Sequence, residues 1–160
     1  MSFVTNLKNF SVIILAGVAL TACATGVKKA AGMMQGDVYT GTDTVEYLAN
    51  GVKDRVFFAT NKSILTTASR DTLRKQAAFM RKKKDLTFSI EGHADERGTR
   101  EYNLALGERR ANAVKDYLMT YGISSSRLSV ISYGKERPVN SGSNPLAWSQ
   151  NRRSVTVKAN

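Results

Sequence analysis

Residues 92–118 read GHADERGTREYNLALGERRANAVKDYL, and the fold turns on how this stretch divides. Gly92 to Gly98 has loop composition, with two glycines bracketing a histidine and the charged Asp95-Glu96-Arg97. From Tyr102 to Tyr121 the residues Leu106, Ala113, Val114, Tyr117, Leu118 and Tyr121 recur at helical spacing and make one apolar face, and Gly122 ends it. Arg110 lies midway between Leu106 and Val114, on the inner edge of that stripe. A guanidinium held there needs an anion, from the protein or from a ligand. The helix must run back along the sheet that precedes it, so its first turns lie near the loop that carries Asp95. Asp95 and Arg110 are therefore expected to flank one pocket. The pair suits a zwitterion, with an ammonium on the aspartate and a carboxylate on the arginine. A plain structural salt bridge fits the same spacing.

Working outward, Leu86-Thr87-Phe88-Ser89-Ile90-Glu91 alternates apolar and polar residues and reads as a strand ending at the loop. Before it, 66–84 reads as a helix, with Leu73, Ala77 and Met80 on one side, Ser69 or Thr67 as its cap, and Arg81-Lys82-Lys83-Lys84 at the negative end of its dipole. Arg55-Val56-Phe57-Phe58 is a short strand. Downstream, Leu128 to Tyr133 and Ser154 to Lys158 are strands, separated by a turn-rich stretch over 134–145. The order βαβαββ predicts an α+β fold, an α/β sandwich with two main helices on one mixed four-stranded sheet, over 46–160.

The first segment reads as an address. Lys8 precedes the apolar run Phe10 to Leu20, too short to span a bilayer but the length of a signal-peptide core. It ends in Leu20-Thr21-Ala22-Cys23, small residues before a cysteine. This resembles the lipobox of bacterial lipoproteins. The resemblance implies cleavage after residue 22, acylation of Cys23 and, with Ala24 next, sorting to the outer membrane. Two or three acyl chains at about 0.8 kcal/mol per buried methylene anchor durably. Residues 23–45 read as the lipidated end and a tether of small and polar residues, whose last part could pack on the domain. Fully extended, it would reach roughly 75 Å.

Lys and Arg number 24 against 13 Asp and Glu, a formal net charge of +11, which suits a polyanionic partner or surface. The export signal argues against nucleic acid. One cysteine and one histidine exclude an internal disulfide and leave no set of protein ligands for zinc. No serine or cysteine has a histidine partner at motif spacing, so catalysis is not expected. His93 reads as a loop-packing residue and Trp148 as a packing anchor.

Several separated motifs resemble the OmpA-like peptidoglycan-binding domains, in the family's order: Val56-Phe57-Phe58 with Thr60-Asn61-Lys62, the 92–118 stretch, Ser132 to Pro138, and Asn151-Arg152-Arg153. Within the helix the family pattern is met by Asn103, Leu106, Gly107, Arg110-Ala111, Val114 and Leu118. The resemblance implies a non-enzymatic module without cofactor that holds meso-diaminopimelate of the peptidoglycan stem peptide on Asp95 and Arg110. Thr60, Asn61, Asn103 and Leu106 would line the groove, and Arg153, with Asn151, would buttress it. Many members carry an acidic residue where this chain has Ala59. Lipid-anchored members also imply a protein partner, the periplasmic TolB, on an overlapping surface.

Overall fold

The computed structural model describes residues 34–159, so the signal segment and Cys23 lie outside the described residues. The central sheet has the order β5-β8-β6-β7, built from Arg55–Phe57 (β5), Thr87–His93 (β6), Leu128–Gly134 (β7) and Arg153–Ala159 (β8). β6 and β7 are parallel and the other pairings antiparallel, so the sheet is mixed, as expected. The parallel pair needs a crossover, and Arg100–Thr120 (α2) supplies it. Thr67–Lys82 (α1) packs beside it on the same face.

The core lies between helices and sheet. Val56, Phe58, Phe88 and Ile90 meet Leu73, Ala77 and Met80 of α1 and Ala111, Val114 and Leu118 of α2. Each large side chain buried there contributes about 1.5–3 kcal/mol. Thr66, rather than Thr67 or Ser69, caps α1. Its hydroxyl accepts from the Ser69 amide at 3.1 Å, while Ser69 turns inward and donates to the Phe57 carbonyl at 3.2 Å. Thr99 caps α2 by accepting from the Tyr102 amide, and Gly122 leaves the helix at φ +80°.

Two contacts set how closely α2 approaches the sheet. A side chain on Gly92 would overlap the backbone of Gly107, and one on Gly107 would overlap Ser132 and the Gly92 carbonyl. Backbone thus rests on backbone at this crossing, which only glycine permits. The loop after β6 is thereby held against the first turns of α2.

Strand parity separates two faces. The Thr156 hydroxyl donates to the Gln76 side chain of α1 at 2.9 Å, so Ser154 and Thr156 face the helices. Arg153, Val155 and Val157 then face the other way.

Two features depart from the sequence reading, and a third is an alternative that it left open. The turn-rich stretch is followed by a short helix, Pro145–Asn151 (α3), with Asn144 as its cap and proline in its first turn. Tyr47–Ala49 (β3) and Val52–Lys53 (β4) form a hairpin beside the sheet. The end of the tether also packs on the domain. Met34–Gln35 (β1) pairs with Val38–Tyr39 (β2), and the Tyr39 ring is buried edge-on against Phe57 at 4.7 Å. One anchoring aromatic holds a segment otherwise too polar and glycine-rich to show a period. No helix among the described residues is long and apolar enough to cross a membrane.

Candidate functional site

The loop after β6, the turn after β5 and the corner between α3 and β8 converge at one end of the sheet. Asp95 sits where they meet and is nearly buried. Its carboxylate accepts from the Arg97 amide at 3.1 Å, from Arg97 Nε at 3.0 Å and Nη2 at 2.7 Å, and from Arg152 Nη1 at 3.3 Å. Burial pushes the Asp95 pKa up, but the hydrogen bonds and charge of Arg97, helped by Arg152, hold it below the usual carboxylate range. Asp95 is therefore ionised and held in a fixed orientation at neutral pH.

Arg110 is fully buried on the inner edge of α2, where the helical period places it. Its partners are not carboxylates. Nε donates to the Lys62 carbonyl at 2.9 Å, Nη1 to the His93 carbonyl at 2.7 Å and Nη2 to the Ala59 carbonyl at 3.1 Å. The guanidinium also lies 5.3 Å from the centre of the Phe58 ring. The sequence reading required an anion here; three carbonyl dipoles satisfy the donors instead, because the 59–62 turn and the end of β6 both aim backbone oxygens at this point. The positive charge itself meets no carboxylate ion pair among the described residues. Burial lowers the Arg110 pKa to about 10, with Arg152 adding to the shift and Asp95 opposing it. Arg110 remains charged, ties the turn to β6 and sets a positive field under the groove.

The remaining expected residues divide. Thr60 and Asn61 lie on the turn closed by the Lys62 amide bonding the Ala59 carbonyl at 3.1 Å, with Asn61 at φ +54°, a conformation asparagine tolerates. The Thr60 hydroxyl is 3.5 Å from Arg97 Nη2. Asn103 is buried and donates to the Arg97 carbonyl at 2.8 Å, so it holds the loop rather than opening to solvent. Leu106 is buried one turn before Arg110. Asn151 accepts from the amides of Val139 and Asn140 and so supports the neighbouring loop. Arg153 does not join the cluster. It lies on the far face of the sheet and donates to the carbonyls of Asn151 and Arg137. Its neighbour Arg152 takes the place beside Asp95, and also donates to the Phe58 carbonyl at 3.1 Å.

Four residues at the site, Arg97, Lys135, Arg152 and Asp37, are given no role there by the sequence reading. Arg97 could have been found from its position two residues after an aspartate in a glycine-bounded loop, where an Asx turn is expected. Its guanidinium lies 4.3 Å from the centre of the Trp148 ring. Trp148 donates to Glu96 at 2.8 Å, and Lys135 donates to the Gly98 carbonyl at 2.8 Å, so the loop is fastened from both sides. Arg152 depends on strand parity. Asp37, at the tip of the β1–β2 hairpin, accepts from the Thr60 amide at 2.6 Å, and its carbonyl accepts from Arg152. That amide bond is the main cause of its lowered pKa. The site therefore combines two carboxylates, Asp37 and Asp95, with Arg97, Arg152 and the deeper Arg110. It can receive an ammonium and a carboxylate side by side. Among the described residues no group of acids, cysteine and histidine could hold a metal ion.

Comparison with known proteins bears on this geometry. Residues 57–152 match the OmpA family. The chain is 53% identical over 106 residues to the peptidoglycan-associated lipoprotein of Mesorhizobium japonicum, and 51% identical over the same length to that of Brucella melitensis. The matched segment is 66% of this chain and 63% of either relative, so it spans somewhat under two thirds of their length. The crystal structure of the peptidoglycan-associated lipoprotein from Burkholderia pseudomallei superposes with a TM-score of 0.65 at 36% identity, over 67% of this chain and 91% of that one. The C-terminal domain of Helicobacter pylori MotB shares the fold, with a TM-score of 0.62 at 20% identity. With the match covering more than half of its residues, the chain belongs to the OmpA family.

Proposed function

We propose that this protein is an outer-membrane lipoprotein that binds peptidoglycan non-covalently and without catalysis, linking the membrane to the wall in support of envelope integrity and cell division. The observation that carries the reading is the ionised, nearly buried Asp95 set among Arg97, Arg152 and Arg110 at one end of the sheet. Diaminopimelate carries an ammonium and a carboxylate on one carbon. Its ammonium goes to Asp95 and its carboxylate to the arginines, with Thr60, Asn61, Asn103 and Leu106 shaping the groove and Arg153 acting only from the far face. The names of the relatives support the wall as the target. Acylated Cys23 supplies the anchor to the membrane.

Binding to purified peptidoglycan sacculi tests this directly. Asp95→Ala is expected to lower retention at least tenfold, about 1.4 kcal/mol, while circular dichroism reports a folded domain. Retention equal to the parent, with the fold intact, refutes the site. A second role, docking the periplasmic protein TolB, rests on the family resemblance. If TolB uses the same groove, added TolB displaces the protein from sacculi and Asp95→Ala weakens both complexes.

A further inference from the structure

The face of the sheet turned away from the helices carries a second polar site. Arg55 of β5, Glu91 and His93 of β6 and Arg153 of β8 face it, and the hairpin residues Glu46–Leu48 and the segment Arg137–Val139 wall it in. The cavity measures about 580 Å³. Two of its buried side chains keep polar atoms without a hydrogen-bond partner: Arg153 at Nε, and His93 at both ring nitrogens. Arg153 is 6% exposed and His93 2%, so both are desolvated. The nearest acid to His93 is Glu91, at 3.7 Å from Nε2, too far for a hydrogen bond. Arg55, by contrast, is neutralised by Asp54, with bonds of 2.8 and 2.6 Å.

The balance of charge tells which ligand fits. Burial lowers the His93 pKa to about 3, and Arg153, Arg55 and Arg137 reinforce the shift, so the imidazole is neutral and the local field positive. The charge of Arg153 has no carboxylate within ion-pair distance among the described residues, since its other donors reach only carbonyls. A buried guanidinium of this kind favours an anion. With Asp54 paired to Arg55, the acids Glu46 and Glu91 stand against Arg137, Arg153 and Lys158 on the same lining, an excess of one positive charge that suits a monoanion better than a dianion. Val139, Val155 and Val157 flank the charged groups and offer apolar contact.

We propose that this open-face cavity is a binding site for a monocarboxylate that bears an apolar group, held by Arg153 with His93 as a neutral hydrogen-bonding partner. The site is separate from the Asp95 groove and does not depend on the wall-binding reading.

The test follows the arginine Nε–H signals of the full ¹⁵N-labelled chain by nuclear magnetic resonance during titration. N-acetylvaline is expected to move the Arg153 signal along a saturating curve with a Kd on the order of 1 mM. N-acetylvalinamide, which lacks the charge, leaves the signal in place, and inorganic phosphate gives no saturable shift. Arg137→Gln, at the exposed rim, weakens the N-acetylvaline affinity at least threefold without disturbing signals elsewhere. A linear shift matching that of Arg70, exposed on α1, shows that there is no site and overturns the proposal. So does an equal response to the amide or to phosphate, or an affinity unchanged in Arg137→Gln.

Discussion

Arg152 and Arg153 are adjacent in the chain and serve opposite faces of the domain. Arg152 lies at the corner before β8 and turns to Asp95, Phe58 and the Asp37 hairpin. Arg153, the first residue of the strand, turns to the open face and borders His93. The same division runs through the end of β6, where His93, the last residue of the strand, belongs to the open-face cavity and Asp95, two residues on in the loop, to the groove. The two regions are built differently. The groove is made mainly of loop residues, and at its centre Asp95 is shared by Arg97 and Arg152, with the deeper Arg110 held by carbonyls. The cavity is centred on two strand residues, His93 and Arg153, that keep unpaired buried atoms. What differs is whether the protein already supplies the partners. A mutually paired groove presents its groups in fixed positions to a ligand with both signs of charge, whereas an unpaired cavity favours a ligand with one.

The largest expected effect breaks both regions together. Gly92 is where β6 rests on the backbone of α2, just before the chain divides between His93 and Asp95. Gly92→Ala has no flexible side chain to push aside, so we expect a loss of about 3 kcal/mol or more in denaturant unfolding. Stability near that of the parent would show that the close crossing does not fix the two regions relative to each other.

Next in size is Arg110→Ala. It strands the carbonyls of Ala59, Lys62 and His93 in a buried place, at a cost on the order of 3 kcal/mol. Arg110→Lys keeps the charge but cannot reach all three oxygens, and is expected to recover part of that loss. If Arg110→Ala unfolds at the parent's denaturant midpoint, the carbonyl clasp contributes nothing to the turn that carries Thr60.

Acid separates the regions by window. His93 has its folded pKa lowered from 6.5 to about 3, so the unfolded chain takes up a proton first as pH falls. Stability is thus fully present above about pH 6.5 and falls by about 1.4 kcal/mol per unit toward pH 3. Asp95 has a folded pKa below its usual 3.8, so its contribution is present above that value and is lost only at lower pH. Denaturant midpoints measured between pH 6 and 4.5 should slope in the parent and flatten in His93→Gln. An unchanged slope assigns the acid response to other groups.

The sequence made the groove partly legible for identifiable reasons. The helical period of Leu106, Arg110 and Val114 needs no tertiary information, and it correctly put Arg110 inside. Asp95 followed from its place after a strand. The identity of Arg110's partners was not legible, because carbonyl direction depends on the fold of a distant turn. Nor was the choice between Arg152 and Arg153, because parity in a strand is known only once a residue such as Thr156 is seen to meet α1. The hairpin that brings Asp37 to Thr60 buries one ring, Tyr39, and is otherwise held by polar contacts of Asp37, which leaves no period to read.

The smallest effects give the sharpest test of the division. Arg152→Lys retains charge near Asp95 but loses the planar fork that bonds Asp95 and the Phe58 carbonyl together. Arg153→Lys retains charge in the cavity but loses the Nε–H. Arg152→Lys should weaken retention on sacculi about threefold, roughly 0.7 kcal/mol, and leave N-acetylvaline binding unchanged. Arg153→Lys should do the reverse, with N-acetylvaline binding read from chemical shifts of backbone amides lining the cavity. If both variants impair both ligands equally, one site feels the other through the strand that joins them. The opposite orientation of neighbouring arginines would then be a matter of packing alone, and the two faces would have to be treated as one binding unit.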